Sequence, residues 1–347
     1  LGASGGTQTY NGGLTTTSVG GTVTLNGSIV TSNDAVVLGA VTLGSATTVD
    51  TNATDNGADI TVAAITGGSN NLTLSTGNNI AGADITASGA IASLGNLTLA
   101  DVGGTATFAG DVDVTTLAVD NTVANVALNG DGSTITNAIS FANDGTLQLG
   151  DASGDTLTFN GGLTTTSVGG TVTLNGTIAT SSDAVVLGAV TLGSETVIAT
   201  NATGNAADIT VAAITGGSNN LTLATGNNIA GADVTASGAI SGLGNLELAD
   251  VGGTATFSNN VAAAALSANN TVANITFTGS TNTFSAASTL ANDGTLTFGD
   301  ATGDSFTFNG GLNTASVAGT VTLNTSISSS NDAMVFGAIT LGNNVTL

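Results

Sequence analysis

The residues GGLTTTSVGGTVTLNG at positions 12–27 return unchanged at 161–176, and a worn third copy, GGLNTASVAGTVTLN, begins at Gly310. The same offset holds along the chain. ITVAAITGGSNNLTL starts at 60 and again at 209, DVGGTATF at 101 and 250, and ANDGTL at 142 and 291. Between 11–45 and 160–194 only Ser28/Thr177, Val30/Ala179 and Asn33/Ser182 differ, whereas 112–141 diverges more strongly from 261–290. A long period without insertions or linker points to stacked, continuous structure. The chain therefore reads as one body over 1–347, built of copies at 1–149 and 150–298 and a partial copy at 299–347.

Within each copy, short runs alternate apolar residues with threonine: TVTL at 22, ITV at 60, LTL at 72 and 97, ATF at 106, LTF at 157. Period-two alternation is the signature of strands with one face in a core. Clusters such as GGSNN, TGNN, NDG and LNG separate the runs, and Gly, Asn and Asp are turn formers. No stretch has helical periodicity. Sandwiches, barrels and solenoids all use many short strands. The linker-free repeat, the brevity of the strands and the absence of proline favour a solenoid, because nearly every strand must donate to its neighbours. The expectation is an all-β, right-handed parallel β-helix. It would have about three strands per coil and roughly 20 to 27 residues per coil, forming an elongated rod of roughly 60 to 80 Å at the usual strand spacing. The period should then be a whole number of coils. The aromatic residues, Phe108, Phe159, Phe257 and Phe308 among them, close strand-like runs and read as core; Tyr10 and Phe159 are equivalent positions.

Composition narrows function. The chain has 23 acidic residues and no Lys, Arg, His, Cys, Pro or Trp. Nucleic acid and anionic membrane are poor ligands for such a surface. No apolar run is long enough to suggest a membrane span, and no signal peptide opens the chain. The start within a repeat suggests a segment of something longer. Zero cysteine removes disulfides and is compatible with secretion.

TQTYNGG, GTVTLNG, DAVVLGAVTLGS, NNLTLSTGNNI and DVGGTATFAGDV together resemble the repeat arrays of filamentous-haemagglutinin-like and autotransporter-type exoproteins, large repetitive bacterial surface adhesins. The resemblance covers nearly the whole chain. It implies secretion to the bacterial cell surface and a right-handed β-helix, while the motifs are structural rungs that say little about a ligand.

Catalysis has little to work with, since no side chain supplies a conventional base, a thiolate or a cation for an oxyanion. A carboxylate-dependent, polysaccharide-active β-helix enzyme is one alternative, and an ice-binding solenoid with threonine rows is another, although TxT-like runs occur at irregular spacing. The aspartates recur in register: Asp34, Asp183 and Asp332; Asp59 and Asp208; Asp84 and Asp233; Asp101 and Asp250; Asp144 and Asp293. They read as turn caps, with weak Ca²⁺ association of the acidic surface in place of ordered sites. No catalytic, cofactor-binding or metal-ligating residue is assigned. Frequent sequons, such as those at Asn71, Asn96 and Asn220, follow from an Asn- and Thr-rich composition. The expected role is that of an extracellular structural or adhesive solenoid, a section of a surface protein or self-assembling filament. Its partners would be further copies of itself, neighbouring solenoid segments, or surface and matrix glycans.

Overall fold

A computed structural model describes all residues from Leu1 to Leu347. It contains 36 strands and no helix, and the strands are parallel wherever they pair, stacked as a β-solenoid of about 16 turns. The contacts divide into two compact units, Leu1–Thr173 and Leu174–Leu347.

Strand formation follows the alternation. In Ile60–Thr66 and Leu97–Leu99 the Ile, Val and Leu side chains turn inward and are buried, while the intervening threonines remain half-exposed. Each inward aliphatic side chain contributes about 1.5–3 kcal/mol relative to exposure. Between the terminal coils the strands pair with the coils before and after them, so a proline inside one would remove a ladder bond.

In the first unit the inward residues form three columns. Leu14, Val36, Ile60, Ile85, Ala106, Val126 and Leu147 are successive partners on the first side. Val23, Val41, Ile65, Ile91 and Val112 stack on the second. Ile29, Val49, Leu74, Leu99 and Val119 stack on the third. The chain visits the sides in that order, giving the expected three strands per coil. Coil length varies: the coil that brings Val23 under Val41 is much shorter than the one that brings Ile65 under Ile91. Loops at the corners absorb the difference.

The repeat period is not a whole number of coils, contrary to the expectation from sequence. Six turns carry the first column from Leu14 to Leu147. Leu163, the counterpart of Leu14, lies two strands further on and pairs with Ile139. Ile139–Ser140 follows the second-side strand Thr134–Ile135 and precedes Leu147, so it occupies the third side. Tyr10 pairs with Thr31 on the third side, but its counterpart Phe159 pairs with Ile135 on the second. Val23 is on the second side, whereas the strand of Val172 lies beside Leu147 on the first, Leu147 N–H donating to Thr171 O at 3.0 Å. One period is therefore six and two-thirds turns, and each copy begins one side back from the last. The second unit shows the same rotation by itself. Val190 shares a column with Ile214, Ile240 and Val261, whereas its counterpart one period later, Ile339, closes the column that starts at Val185.

Corners are built by two devices. At Asn26–Gly27 the register shifts between Leu25 and Gly27, and Gly27 takes φ 68°, which favours glycine. Gly103 of DVGGTATF is needed for closeness instead: a Cβ there would collide with the backbone of Asn79 and Ile80 in the preceding coil. Where coils are longest, residues 51–59 and 76–84 project as stacked loops over a small core of Ala53, Ala58 and Ala83 with Ile80 against it; Ala202, Ala207, Ala232 and Ile229 repeat it in the second unit.

Nine of the ten phenylalanines are fully buried, as their places at or near inward strand positions predict. Tyr10 differs: it is half-buried, and its hydroxyl donates to Gln8 Oε1 at 2.7 Å. The second unit has the more aromatic core. Phe277 lies between Phe257 (centroids 4.8 Å, planes 13°) and Phe298 (5.9 Å, 7°), with Phe306 edge-on at 5.8 Å.

Candidate functional site

Of the register-matched aspartates, Asp59 and Asp84 and their counterparts Asp208 and Asp233 cap backbone N–H groups through their carboxylates. Asp59 Oδ1 accepts the N–H of Asp84 at 2.9 Å, and Asp84 Oδ1 accepts the N–H of Thr105 at 2.7 Å, so one carboxylate per coil holds the next coil's backbone. Asp208, Asp233 and Thr254 repeat this at 2.8 and 2.7 Å. Asp101 and Asp250 sit at positive φ (50° and 52°), and each uses backbone atoms, not its carboxylate, to join the coils around it. Asp34 and Asp183 likewise offer backbone oxygens, to Thr31 and Thr180. Asp332 is exposed, its carboxylate taking the hydroxyl of Ser330 at 3.3 Å. Asp144 and Asp293 lie at turns near the surface. The carboxylates are therefore spread along the coils, and no three of them are grouped so as to hold a metal ion.

The nearest approach to an acidic group is a turn at 151–155. Asp155, almost wholly buried, accepts the N–H groups of Asp151 (2.7 Å) and Ala152 (2.9 Å) on Oδ2. Asp304 does the same for Asp300 and Ala301 at 2.9 and 3.0 Å. Burial, then the charges of Asp155 and Asp131, push the Asp151 carboxyl above its ordinary value.

Threonine carries more of the structure than its even distribution in the sequence suggests. At one corner Thr31, Thr51 and Thr76 are buried and linked: Thr31 Oγ1 donates to Thr51 O (3.2 Å), Thr51 Oγ1 to Thr76 O (3.2 Å) and Ala58 O (2.7 Å), and Thr76 Oγ1 to Asp101 O (2.8 Å). Thr180, Thr200 and Thr225 reproduce the ladder. Asn143 and Asn292, which belong to the NDG turn clusters, are fully buried. Their amide nitrogens each donate to three carbonyls, and their Oδ1 atoms have no partner.

Outward-facing threonines behave differently. Along the Val185 column of the second unit, the next residue of each strand is Val186 and then, rung after rung, Thr210, Thr235, Thr256, Thr276, Thr297, Thr322 and Thr340. The irregular spacing of TxT-like runs in sequence thus becomes an unbroken file in space, because unequal loops take up the difference between coils. In the first unit the comparable file runs Thr61, Thr86, Thr107 and is then interrupted by Ala127 and Gln148.

Concave surface is shallow. A groove of about 570 Å³ lies in the second unit between Ser218, Leu243, Ala263 and Thr283, and no titratable side chain lines it. Comparison with known proteins returned no matching family model, curated protein or solved structure.

Proposed function

We propose that this chain is an extracellular structural or adhesive solenoid, a section of a long repetitive cell-surface protein of the filamentous-haemagglutinin or autotransporter type, or of a filament assembled from such sections. The observation that carries this reading is the period of six and two-thirds turns. Duplication of an enzyme's cleft is useful when copies align or stand apart. Here each copy of a surface motif is carried to the next side, which spreads the same chemistry around the solenoid. That suits a scaffold meeting neighbours, matrix or glycans from several directions. The carboxylates that are engaged with backbone N–H groups support the same reading over a carboxylate-dependent glycosidase, which needs two carboxyls free to face a substrate.

Antibody labelling of intact cells of the source organism, with electron microscopy of shed material, tests the proposal. Surface labelling on thin fibres is expected. Labelling confined to the cytoplasm would sink it, as would polysaccharide turnover abolished by a single Asp substitution.

A further inference from the structure

The threonine file of the second unit is distinct from the rest of the surface. At four consecutive rungs the outward residues are Thr254 and Thr256, Asn274 and Thr276, Thr295 and Thr297, and Thr320 and Thr322. Register passes through these rungs without a bulge. Two ranks of side chains therefore form a mesh of roughly 4.8 Å between rungs and about 6.6 Å along each strand. The outer rank is braced internally, Thr295 N–H and Oγ1 both donating to Asn274 Oδ1 at 2.9 Å. In the second rank the hydroxyls of Thr256, Thr276, Thr297 and Thr322 take no hydrogen bond within the protein, unlike the buried corner threonines.

The ligand of such a plane is constrained by its chemistry. Asp208 and Asp233 hold the outer rank in the two rungs before Thr254, but none of the 23 carboxylates is among these eight positions, so these four rungs match an uncharged partner. It carries no aromatic ring, and sugar or base recognition by stacking is therefore unavailable. Threonine is stiff at χ1, so little side-chain entropy is lost on binding. Each threonine offers one hydroxyl and one methyl, repeated from rung to rung, and weak contacts gain strength only if the partner repeats too. A rigid, neutral lattice with a hydrogen-bonding group at every node satisfies all of these conditions. We propose that this face binds ice, through ordered water held between the threonine ranks.

The repeat itself supplies the test variant. At the positions equivalent to Thr276 and Thr297 the first copy has Ala127 and Gln148 on the same backbone, so Thr276→Ala/Thr297→Gln is compatible with the fold. The full chain should shape growing ice crystals and inhibit recrystallisation. The double variant, with unchanged circular dichroism, should need roughly tenfold more protein for the same inhibition, the change expected when about 1.4 kcal/mol of contact is lost. Thr73→Ala/Thr98→Gln in the first unit should leave activity within twofold. Absence of any ice effect from the wild-type chain overturns the proposal. So does equal activity in the Thr276/Thr297 variant, or retention on insoluble neutral polysaccharide without an effect on ice.

Discussion

Thr51→Val separates the hydroxyl ladder from simple packing. Valine keeps the shape of the side chain and removes its donor. Thr51 is wholly buried, and its Oγ1 serves two carbonyls. Thr76 O keeps a second partner, the N–H of Ala53 at 2.6 Å, so it is not left bare. Ala58 O, bonded by Thr51 at 2.7 Å, loses that donor. An orphaned buried acceptor costs about 1–3 kcal/mol, while the added methyl returns a fraction of that through burial. The net expectation is a loss of about 1–2 kcal/mol. Thr51→Ser keeps the donor and loses the methyl, and should cost less than about 1 kcal/mol. Urea unfolding followed by circular dichroism reads both, and hydrogen exchange at Ala53 and Ile60 localises the effect to this corner. The same pair of changes at Thr200, which bonds Ala207 O at 2.7 Å, gives an independent replicate. If valine proves neutral, or serine more damaging than valine, the ladder holds nothing together and the hydroxyls are incidental.

Phe277→Leu places the residue of the equivalent position, Leu128, into the aromatic stack; it should cost roughly 1–2 kcal/mol more than Phe108→Leu, because Phe277 has three ring partners, and calorimetry compares the two. Asp155→Ala leaves two turn N–H groups to water and should lose about 1–2 kcal/mol in urea unfolding, with Asp304→Ala matching it. The Asp151 carboxyl is raised in the fold, so its charged form opposes folding at neutral pH and that penalty fades as pH falls through its titration. Asp151→Asn should thus stabilise by no more than about 0.5 kcal/mol at pH 7, the side chain being largely solvated, and the gain should vanish in acid; urea midpoints across pH decide it. Excising residues 24–172 removes one full period and joins Val23 to Thr173 in unchanged local surroundings, so the product should fold with full β circular dichroism. Excising 15–147 removes six whole turns but joins Leu14 to Gln148, and should give an unstable chain.

The alternation in runs such as ITV and LTL is enough to read the all-β class, the inward Val, Ile, Leu and Phe, and the three strands per coil. Those features depend on local pattern, which sequence states directly. The phase of the repeat is hidden, because coils as unequal as Val23 to Val41 and Ile65 to Ile91 cannot be counted from one-dimensional spacing. The same variation conceals the threonine file, whose members are neighbours across coils but separated in the chain by intervals that change from rung to rung, as between Thr210 and Thr235 or Thr322 and Thr340. Thr51 lies between Asp50 and Asn52 and Thr210 between Ile209 and Val211, and neither context announces a buried hydroxyl. Only the corner geometry makes one a buried donor and the other a surface hydroxyl. Asn143 misleads for a similar reason: NDG is turn chemistry, but the turn folds the amide inward onto carbonyls.

A period of six and two-thirds turns sets a condition on every segment of the chain. Translation by one period preserves the neighbours above and below: Val41 meets Ile65 as Val190 meets Ile214. The side of the solenoid is not preserved, since Leu14 and Leu163 stand on different ones. Each segment must therefore fit any side, and the three sides must be interchangeable in width and corner geometry. Side chains tailored to one side, such as a long aromatic wedge or a cation reaching round one particular corner, would be misplaced in the next copy. Val, Ile, Leu and Phe inside, with Thr, Ser, Asn and Asp mostly outside, meet the condition because each finds its partners one coil away. The uniform chemistry of the sequence and the rotation of its repeat are thus one constraint seen at two scales.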